Sequence, residues 1–423
     1  MKKLLLGSTA LLGAIALSGA ASAQQVVTKA PFTLTIGGSF STYFGINAGG
    51  DEGLAGTAAN GKKNYDFLSE TLLQFQATAK TDNGLTYGAA VRKYFNTGGN
   101  QGQTGGGFSA FQGTSTTDYD RSFVFLQGSF GRFDFGDVNS TRASFMTTAL
   151  NSVGPVWGNG LGPDGGLAAF FYNVQGTTIS GAITSPGNYT TFGGNSTTRR
   201  TKLVYTSPSF AGFQAGLSYM PSAGDSGANF DRTDTLVGGA STTAINGRAN
   251  YRDAIEGGLR YKGTFSGVTV TPALGFLFAS GYKSLTSTQA TLEDATSLFA
   301  GIQFDYMGAS LGVGYTNSFK SGLAKNNVRT APNRDNTEGL VVALGYVTGP
   351  WALSGFYQYV TMEGSQAATA SGNDTARLFE IAGGYTLAPG LQLWTAVHNY
   401  EFKDENVTKR NGTLFLLGTS VSF

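Results

Sequence analysis

The chain has 423 residues with 28 basic and 26 acidic side chains, a formal net charge of +2, and no cysteine. This balance gives no electrostatic reason to expect nucleic-acid binding, and the absence of cysteine excludes disulfide bonds. Glycine accounts for 63 residues, which is about twice its usual share. Beyond the first residues, no stretch approaches the ~18 consecutive apolar residues that a membrane-spanning helix requires.

The chain begins with the pattern of a secretory signal peptide. Lys2 and Lys3 precede an uncharged, mostly apolar stretch over residues 4–17, and the triplet Ala21-Ser22-Ala23 follows. A basic start, a short apolar core and an A-x-A site in this order mark a segment that is removed after export. We expect cleavage after Ala23, so that residues 1–23 are lost. The mature protein would begin at Gln24 with a formal net charge of zero, because the two lysines account for the +2.

The mature chain alternates apolar and polar side chains in many consecutive segments. Clear examples lie at residues 70–80, 85–92, 252–262, 268–278 and 297–306. Alternate side chains of a strand point to opposite faces, so each segment predicts a strand with one apolar face. Composition alone would also fit a secreted soluble β-protein. In lipid, however, only a closed barrel satisfies the backbone hydrogen bonds of strands, and this pattern predicts an apolar exterior and a polar lumen.

Short turns and long loops alternate along the chain and set the number of strands. Short turns rich in Gly, Pro, Asn and Ser lie near residues 81–84, 129–131, 207–212, 264–267, 306–308, 348–350 and 387–390. Longer segments rich in Gly, Ser, Thr and Asn separate them. We therefore predict an all-β fold, a transmembrane antiparallel β-barrel of sixteen strands that forms a single domain over residues 24–423.

The third long segment, about residues 139–198, is much longer than the others. Successive turn centres lie roughly 40–55 residues apart from Phe210 onward, whereas nearly 80 residues separate the turns near Ser129 and Ser207. Loops of this length are usually functional or disordered. This one carries large apolar side chains, among them Phe145, Trp157 and Phe170. We expect it to fold into the barrel lumen, where such side chains find a surface to pack on.

The last predicted strand ends the chain on an aromatic residue. Phe415, Leu417, Val421 and Phe423 share one face, and the other face becomes small and polar toward the end. An edge strand of a soluble sandwich would also alternate in this way. A strand that ends on a terminal Phe resembles the closing strand of bacterial outer-membrane β-barrels.

Two strand–turn–strand segments carry a resemblance to a family. The segment RSFVFLQGSFGRFDFGD at 121–137 resembles the strand pair that precedes the constriction loop of general bacterial porins, and RTKLVYTSPSFAGFQAGLSY at 200–219 resembles the pair that follows it. Together with the signal peptide and the strand number, the chain is most similar to the sixteen-stranded, trimeric porins of alphaproteobacteria. This resemblance implies an outer-membrane homotrimer, in contact with lipid and lipopolysaccharide, for passive diffusion of small hydrophilic solutes and ions.

Charged residues of inward parity are the candidate pore-lining residues. In the resembled family, a basic cluster on the wall faces acids on the third loop across the narrowest part of the pore. The basic candidates here are Arg92, Arg200, Lys202, Arg252, Arg260 and Lys262. The acidic candidates are Glu70, Glu256 and Glu380 on the wall and Asp164, the one acid of the long loop.

Other functions are less well supported by the sequence. A substrate-selective channel for anions or sugars is the main alternative, and Trp394, Tyr400 and Phe402 have the inward parity that a sugar path would use. We expect no enzyme activity, because no serine lies in a G-x-S-x-G elbow. His398 is the single histidine, so a multi-histidine metal site is excluded. We expect no cofactor.

Overall fold

The computed structural model describes residues 24–27, 32–48, 65–96, 121–142, 144–145, 200–222, 251–281, 293–319, 337–363, 373–403 and 409–423. Their strands are β1 (Gln24–Val27), β2 (Thr33–Ala48), β3 (Tyr65–Lys80), β4 (Thr86–Asn96), β5 (Arg121–Gly128), β6 (Gly131–Val138), β7 (Arg200–Thr206), β8 (Phe213–Ser222), β9 (Tyr251–Tyr261), β10 (Gly263–Phe265), β11 (Val268–Gly281), β12 (Ala295–Tyr306), β13 (Ala309–Asn317), β14 (Thr337–Thr348), β15 (Trp351–Glu363), β16 (Asn373–Ala388), β17 (Leu391–Lys403) and β18 (Lys409–Ser422).

These strands form one closed antiparallel barrel. Successive strands of the wall pair with each other, β9 with β11 among them, and β18 pairs back onto β2 with Leu417 opposite Phe44. Two of the eighteen strands, β1 and β10, do not count as separate strands of the barrel wall. The short β10 continues β9 past Lys262, and β1 extends the edge of β2 below the end of β18. Sixteen wall strands therefore remain among the described residues, which confirms the predicted strand number.

The short turns lie where the sequence places them. The turn between β12 and β13 consists of Met307 and Gly308, and Gly308 has a φ of 84°, which only glycine adopts without strain. A Cβ there would also collide with the carbonyl of Val347 on β14. This turn therefore depends on glycine for both its backbone angle and its packing.

The outward face of the wall is apolar, as the alternation predicts. On β18 the outward Leu417 is 59% exposed in the isolated chain, whereas its inward neighbour Leu416 is buried. Outward aromatic side chains pair across neighbouring strands near the short turns, for example Trp351 with Tyr385 at a ring-centroid distance of 4.5 Å. Amphipathic rings favour the headgroup level, so these pairs suit an interfacial girdle. Among the described residues, no helix combines the length and the apolarity needed to cross a membrane.

The inward face differs from one side of the barrel to the other. On β4–β9 it carries charged side chains, whereas on β15–β18 it is mostly apolar and buried, with Phe356, Leu378, Trp394 and Leu414 as examples. The polar lumen that the alternation predicts is therefore wrong for β15–β18. Period-two alternation separates the two faces of a strand but does not require the inward face to be polar.

Candidate pore constriction

The beginning of the long third loop lies inside the barrel. Residues 139–142 and 144–145, here called the loop root, leave the end of β6 and form one helical turn, in which the Ser144 N–H donates to the Ser140 carbonyl at 2.9 Å. Thr141, Arg142 and Phe145 are almost completely buried. The rest of the predicted loop, with Asp164, lies outside the described residues.

Three glycines on adjacent strands form the surface that receives the loop root. Gly216 of β8 pairs with Gly258 of β9, which pairs with Gly275 of β11, so the three form a lateral row on the inward face. A Cβ on Gly258 would lie 2.7 Å from Phe145 Cδ2, and one on Gly275 would lie 2.6 Å from Arg142 Cγ. We call this row the glycine seat. The loop root packs directly against its backbone because no side chains intervene.

Hydrogen bonds fix the loop root to the same wall. The Thr141 N–H donates to Ser218 Oγ at 3.3 Å, and Ser218 Oγ donates to the Glu256 carbonyl at 3.3 Å. At the point where β6 ends, Lys202 Nζ of β7 donates to the Val138 carbonyl at 2.9 Å. The loop therefore leaves the wall from a fixed position.

A buried ion pair joins the loop root to the barrel. Arg142 Nε lies 3.6 Å from Glu256 Oε2 of β9, and the two side chains are 0% and 2% exposed. Burial lowers the pKa of the Arg142 guanidinium, while the charge of Glu256 opposes that shift. Two buried charges are tolerated when they compensate each other, and removing one leaves the other uncompensated. Glu256, predicted as a pore-lining acid, thus holds the loop root.

Arg260 contacts the loop root from the inward position of β9 that follows Gly258. Its guanidinium carbon lies 4.9 Å from the centroid of the Phe145 ring, and its Nη2 donates to Gln214 Oε1 at 2.6 Å. A guanidinium over an aromatic ring is attracted by the negative face of the ring. Lys262 follows two residues later and is exposed, and its backbone N–H donates to the Gly212 carbonyl at 2.9 Å.

Two arginines face each other beside the loop root. Arg92 of β4 lies directly opposite Arg121 of β5, on the inward face that also carries the buried Phe125. Arg200 of β7 lies opposite Val138 of β6 by register, although the Arg200 side chain is not among those described. Together with Lys202, these residues surround the point at which the loop leaves the wall.

The remaining predicted residues lie elsewhere. Arg252 is about half exposed near the start of β9, with Nε 3.8 Å from Asp253 Oδ2. Glu70 is placed by register opposite Asn96, and its side chain is not described. Glu380 lies on the apolar side of the barrel, where its Oε2 is 3.1 Å from Nε2 of His398 and both side chains are fully buried.

Sequence reasoning did not select Arg142, Arg121 or the glycine seat. Arg142 is the one basic residue among residues 139–198, which is a signal that the sequence offers. Arg121 has the same inward parity as Phe125 and stands at the start of its strand. The glycine seat depends on the register between three strands, and single segments contain no information about register.

Comparison with known proteins finds similarity to outer-membrane β-barrels, in agreement with the fold. A family model described as Gram-negative porin matches residues 7–405. A protein of Rickettsia felis without an assigned function is 23% identical over 363 residues, covering 73% of this chain and 77% of its own length. The fold is similar to Salmonella typhi OmpF in complex with daunomycin (TM-score 0.58, 15% identity, 95% of this chain and 100% of that one). It is also similar to the trimer form of Vibrio cholerae OmpT (TM-score 0.53, 13% identity, 93% and 100%).

Proposed function

The chain belongs to the Gram-negative porin family and forms an outer-membrane channel for passive diffusion, and we propose that the channel runs through its own barrel beside the loop root. The observation that carries this proposal is the position of Thr141, Arg142 and Phe145 on the glycine seat, inside a closed wall. A loop held inside a barrel reduces the cross-section through which solutes pass. The charged side chains around that loop would act on solutes in a space with little bulk water.

We further propose that the rest of the predicted loop, residues 146–198, continues this constriction. Its large apolar side chains, such as Trp157 and Phe170, favour packing over free solvation. Asp164 would then contribute the one carboxylate of the loop to the narrowest region. The basic candidates Arg92, Lys202 and Arg260 would lie on the wall around the loop root.

The biological unit in this proposal is an exported homotrimer in the outer membrane. The order of Lys2, Lys3, the apolar stretch and Ala21-Ser22-Ala23 supports removal of residues 1–23 during export. A solved fold neighbour from Vibrio cholerae is described as a trimer form. Outward aromatic pairs such as Trp351 with Tyr385 support contact with outer-membrane lipid and lipopolysaccharide at the headgroup level.

Planar-bilayer recording of the purified protein tests this function. We expect stepwise conductance increases in groups of three, and vesicle-swelling rates that fall smoothly with the size of an uncharged sugar and do not saturate. A correctly folded trimer without conductance would contradict the channel. Saturable block by one solute would instead support a substrate-selective channel.

A further inference from the structure

We infer that the apolar part of the long loop, residues 153–172, packs on the apolar inward face of β15–β18; the inference rests on the proposed position of the loop inside the barrel. The apolar inward face is defined by Phe356, Leu378, Trp394, Tyr400, Leu414 and Leu416. The strands β12, β13 and β14 separate it from β11, the last strand of the glycine seat. The loop is then held on two separate sectors of the wall.

The side chains of the apolar inward face are covered although they face the lumen. Leu414, Phe356 and Trp394 are 0%, 3% and 5% exposed. Side chains stand roughly perpendicular to a sheet, so neighbours in the sheet contact their flanks and leave their tips open. The 59% exposure of the outward Leu417 shows how much surface remains open without a cover. The described strands all belong to the wall or extend it, so a segment other than these strands must cover the face.

Composition identifies the long loop as the segment that covers this face. Over residues 146–198 the single charged side chain is Asp164. The large apolar side chains of residues 153–172 are Val153, Val156, Trp157, Leu161, Leu167, Phe170, Phe171 and Tyr172. The other long segments between strands carry at least two charged side chains each and fewer large apolar ones; they are residues 49–64, 97–120, 223–250 and 320–336. An uncharged apolar stretch can be buried on an apolar face without the cost of desolvating charges.

The loop has the starting point and the length that this contact requires. Phe145 already lies inside the lumen, on the glycine seat. Sixteen strands spaced about 4.8 Å apart and tilted by about 40° enclose a barrel roughly 30 Å across. The chain from Phe145 to Phe170 can span up to about 80 Å when extended. The aromatic part of the loop can therefore reach β15–β18, and a similar length of chain remains for its return to β7.

The Glu380–His398 pair lies within the apolar inward face. Phe356, Glu380, His398 and Leu414 form one lateral row across β15–β18. Both members of the pair are 0% exposed, with Oε2 3.1 Å from Nε2. Water in an open lumen would reach polar groups at this position, whereas an apolar cover excludes it. The complete burial of the pair thus supports a dry contact, and the open path for solutes then lies beside the charged inward face of β4–β7.

Thiol labelling of vesicle-inserted barrels tests this contact, because the native chain has no cysteine to interfere. Leu416→Cys should react with a small charged thiosulfonate at least about tenfold more slowly than Gln74→Cys, which replaces a half-buried inward residue of β3. Deleting residues 153–172 should raise the rate at Leu416→Cys to that at Gln74→Cys. The matched control deletes an equal length, residues 225–244, between β8 and β9 and should leave Leu416→Cys protected. If the first deletion prevents folding, Phe170→Ser/Phe171→Ser replaces it, again with faster labelling expected.

The outcomes separate this contact from the proposed channel. Fast labelling of Leu416→Cys in the full-length barrel would show that the face is open to water. Protection that persists after residues 153–172 are removed would show that another segment covers it. Either result overturns the inference, and conductance of the wild-type protein in a planar bilayer would still support the channel. The expected labelling pattern in a folded trimer without conductance would keep the contact and overturn the channel. Heat-dependent gel mobility shows which variants are folded and can be compared.

Discussion

Arg142 of the loop root and Glu256 of β9 form a nearly solvent-free ion pair, with Nε 3.6 Å from Oε2. The two residues are 114 positions apart in the chain and meet because the loop root turns into the lumen at the end of β6. Their contact connects the start of the longest loop to the wall strand that also carries Gly258 and Arg260. The path of the loop inside the barrel therefore begins from this pair.

Replacing one member of the pair should release the loop root. Glu256→Gln keeps the side-chain size but leaves the Arg142 charge buried without compensation, which costs roughly 3–5 kcal/mol in comparable buried pairs. We expect single-channel conductance to become larger and more variable while the barrel stays folded. Recording Glu256→Gln beside a matched outer-wall variant, Thr395→Ser on β17, checks this. An unchanged conductance would show that the pair does not position the loop.

The glycine seat makes a steric prediction. A methyl group at Gly275 would press on Arg142 Cγ at 2.6 Å, and its next neighbour is the Gly257 carbonyl at 3.4 Å. Gly275→Ala should therefore destabilise the docked loop root by about 1–3 kcal/mol, the usual cost of overpacking. Thermal unfolding and conductance noise measure the effect. Gly383→Ala on β16 is the control, because its Cβ would meet Leu353 at an ordinary 3.5 Å.

Removing one member of the Glu380–His398 pair should lower the free energy of unfolding, whereas replacing both members with apolar side chains should restore most of it. Both side chains are 0% exposed, and their cross-strand contact joins β16 to β17 within an apolar part of the wall. His398→Leu alone leaves a carboxyl group buried without its partner, so we expect a loss of roughly 3 kcal/mol in unfolding free energy. The double variant Glu380→Leu/His398→Leu should recover most of it, because two apolar side chains of similar size fill the site. A double variant no more stable than the single would refute this account.

The assignment of the two wall faces predicts opposite effects at adjacent positions. Phe75 of β3 is 44% exposed on the outward face, and Gln76 beside it has inward parity. Phe75→Arg should reduce barrel stability in vesicles by about 2–4 kcal/mol, the cost of a charged side chain near the bilayer midplane. Gln76→Arg should fold normally. Urea titration of the vesicle-inserted barrels measures both, and equal losses would mean that the faces are misassigned.

The sequence was sufficient to predict the strands and turns of the barrel. It was insufficient to predict the contacts inside it. Alternation such as that of Phe415 and Leu417 against Leu414 and Leu416 predicts outward and inward faces, and turn chemistry at Gly308 predicts where strands end. The row of Gly216, Gly258 and Gly275 arises only from the register between three strands, β8, β9 and β11. The contact of Arg142 with Glu256 is equally non-local, so neither could be read from a local pattern.

Selecting the charged residues that alternation places on the inward face predicted part of the site. It selected Arg92, Lys202 and Arg260, which the structure places on the wall around the loop root. It did not distinguish Glu256, which binds the loop root, from Glu380, which lies in the apolar wall with His398. The alternation of side chains predicts which face of the strand a residue lies on. Its role depends on which residues of other elements contact it.

The most direct test of the loop root's position is a disulfide across it, which is feasible because the native chain has no cysteine. A Cβ at Gly216 would lie 2.7 Å from Thr141 Oγ1, close to the distance between Cβ and the partner sulfur in a disulfide. In the variant Thr141→Cys/Gly216→Cys, we predict that the disulfide forms in the folded barrel and that oxidised and reduced channels conduct equally. A folded, conducting barrel in which this disulfide does not form, or in which it stops conduction, would contradict a pore shaped by a loop fixed on the glycine seat.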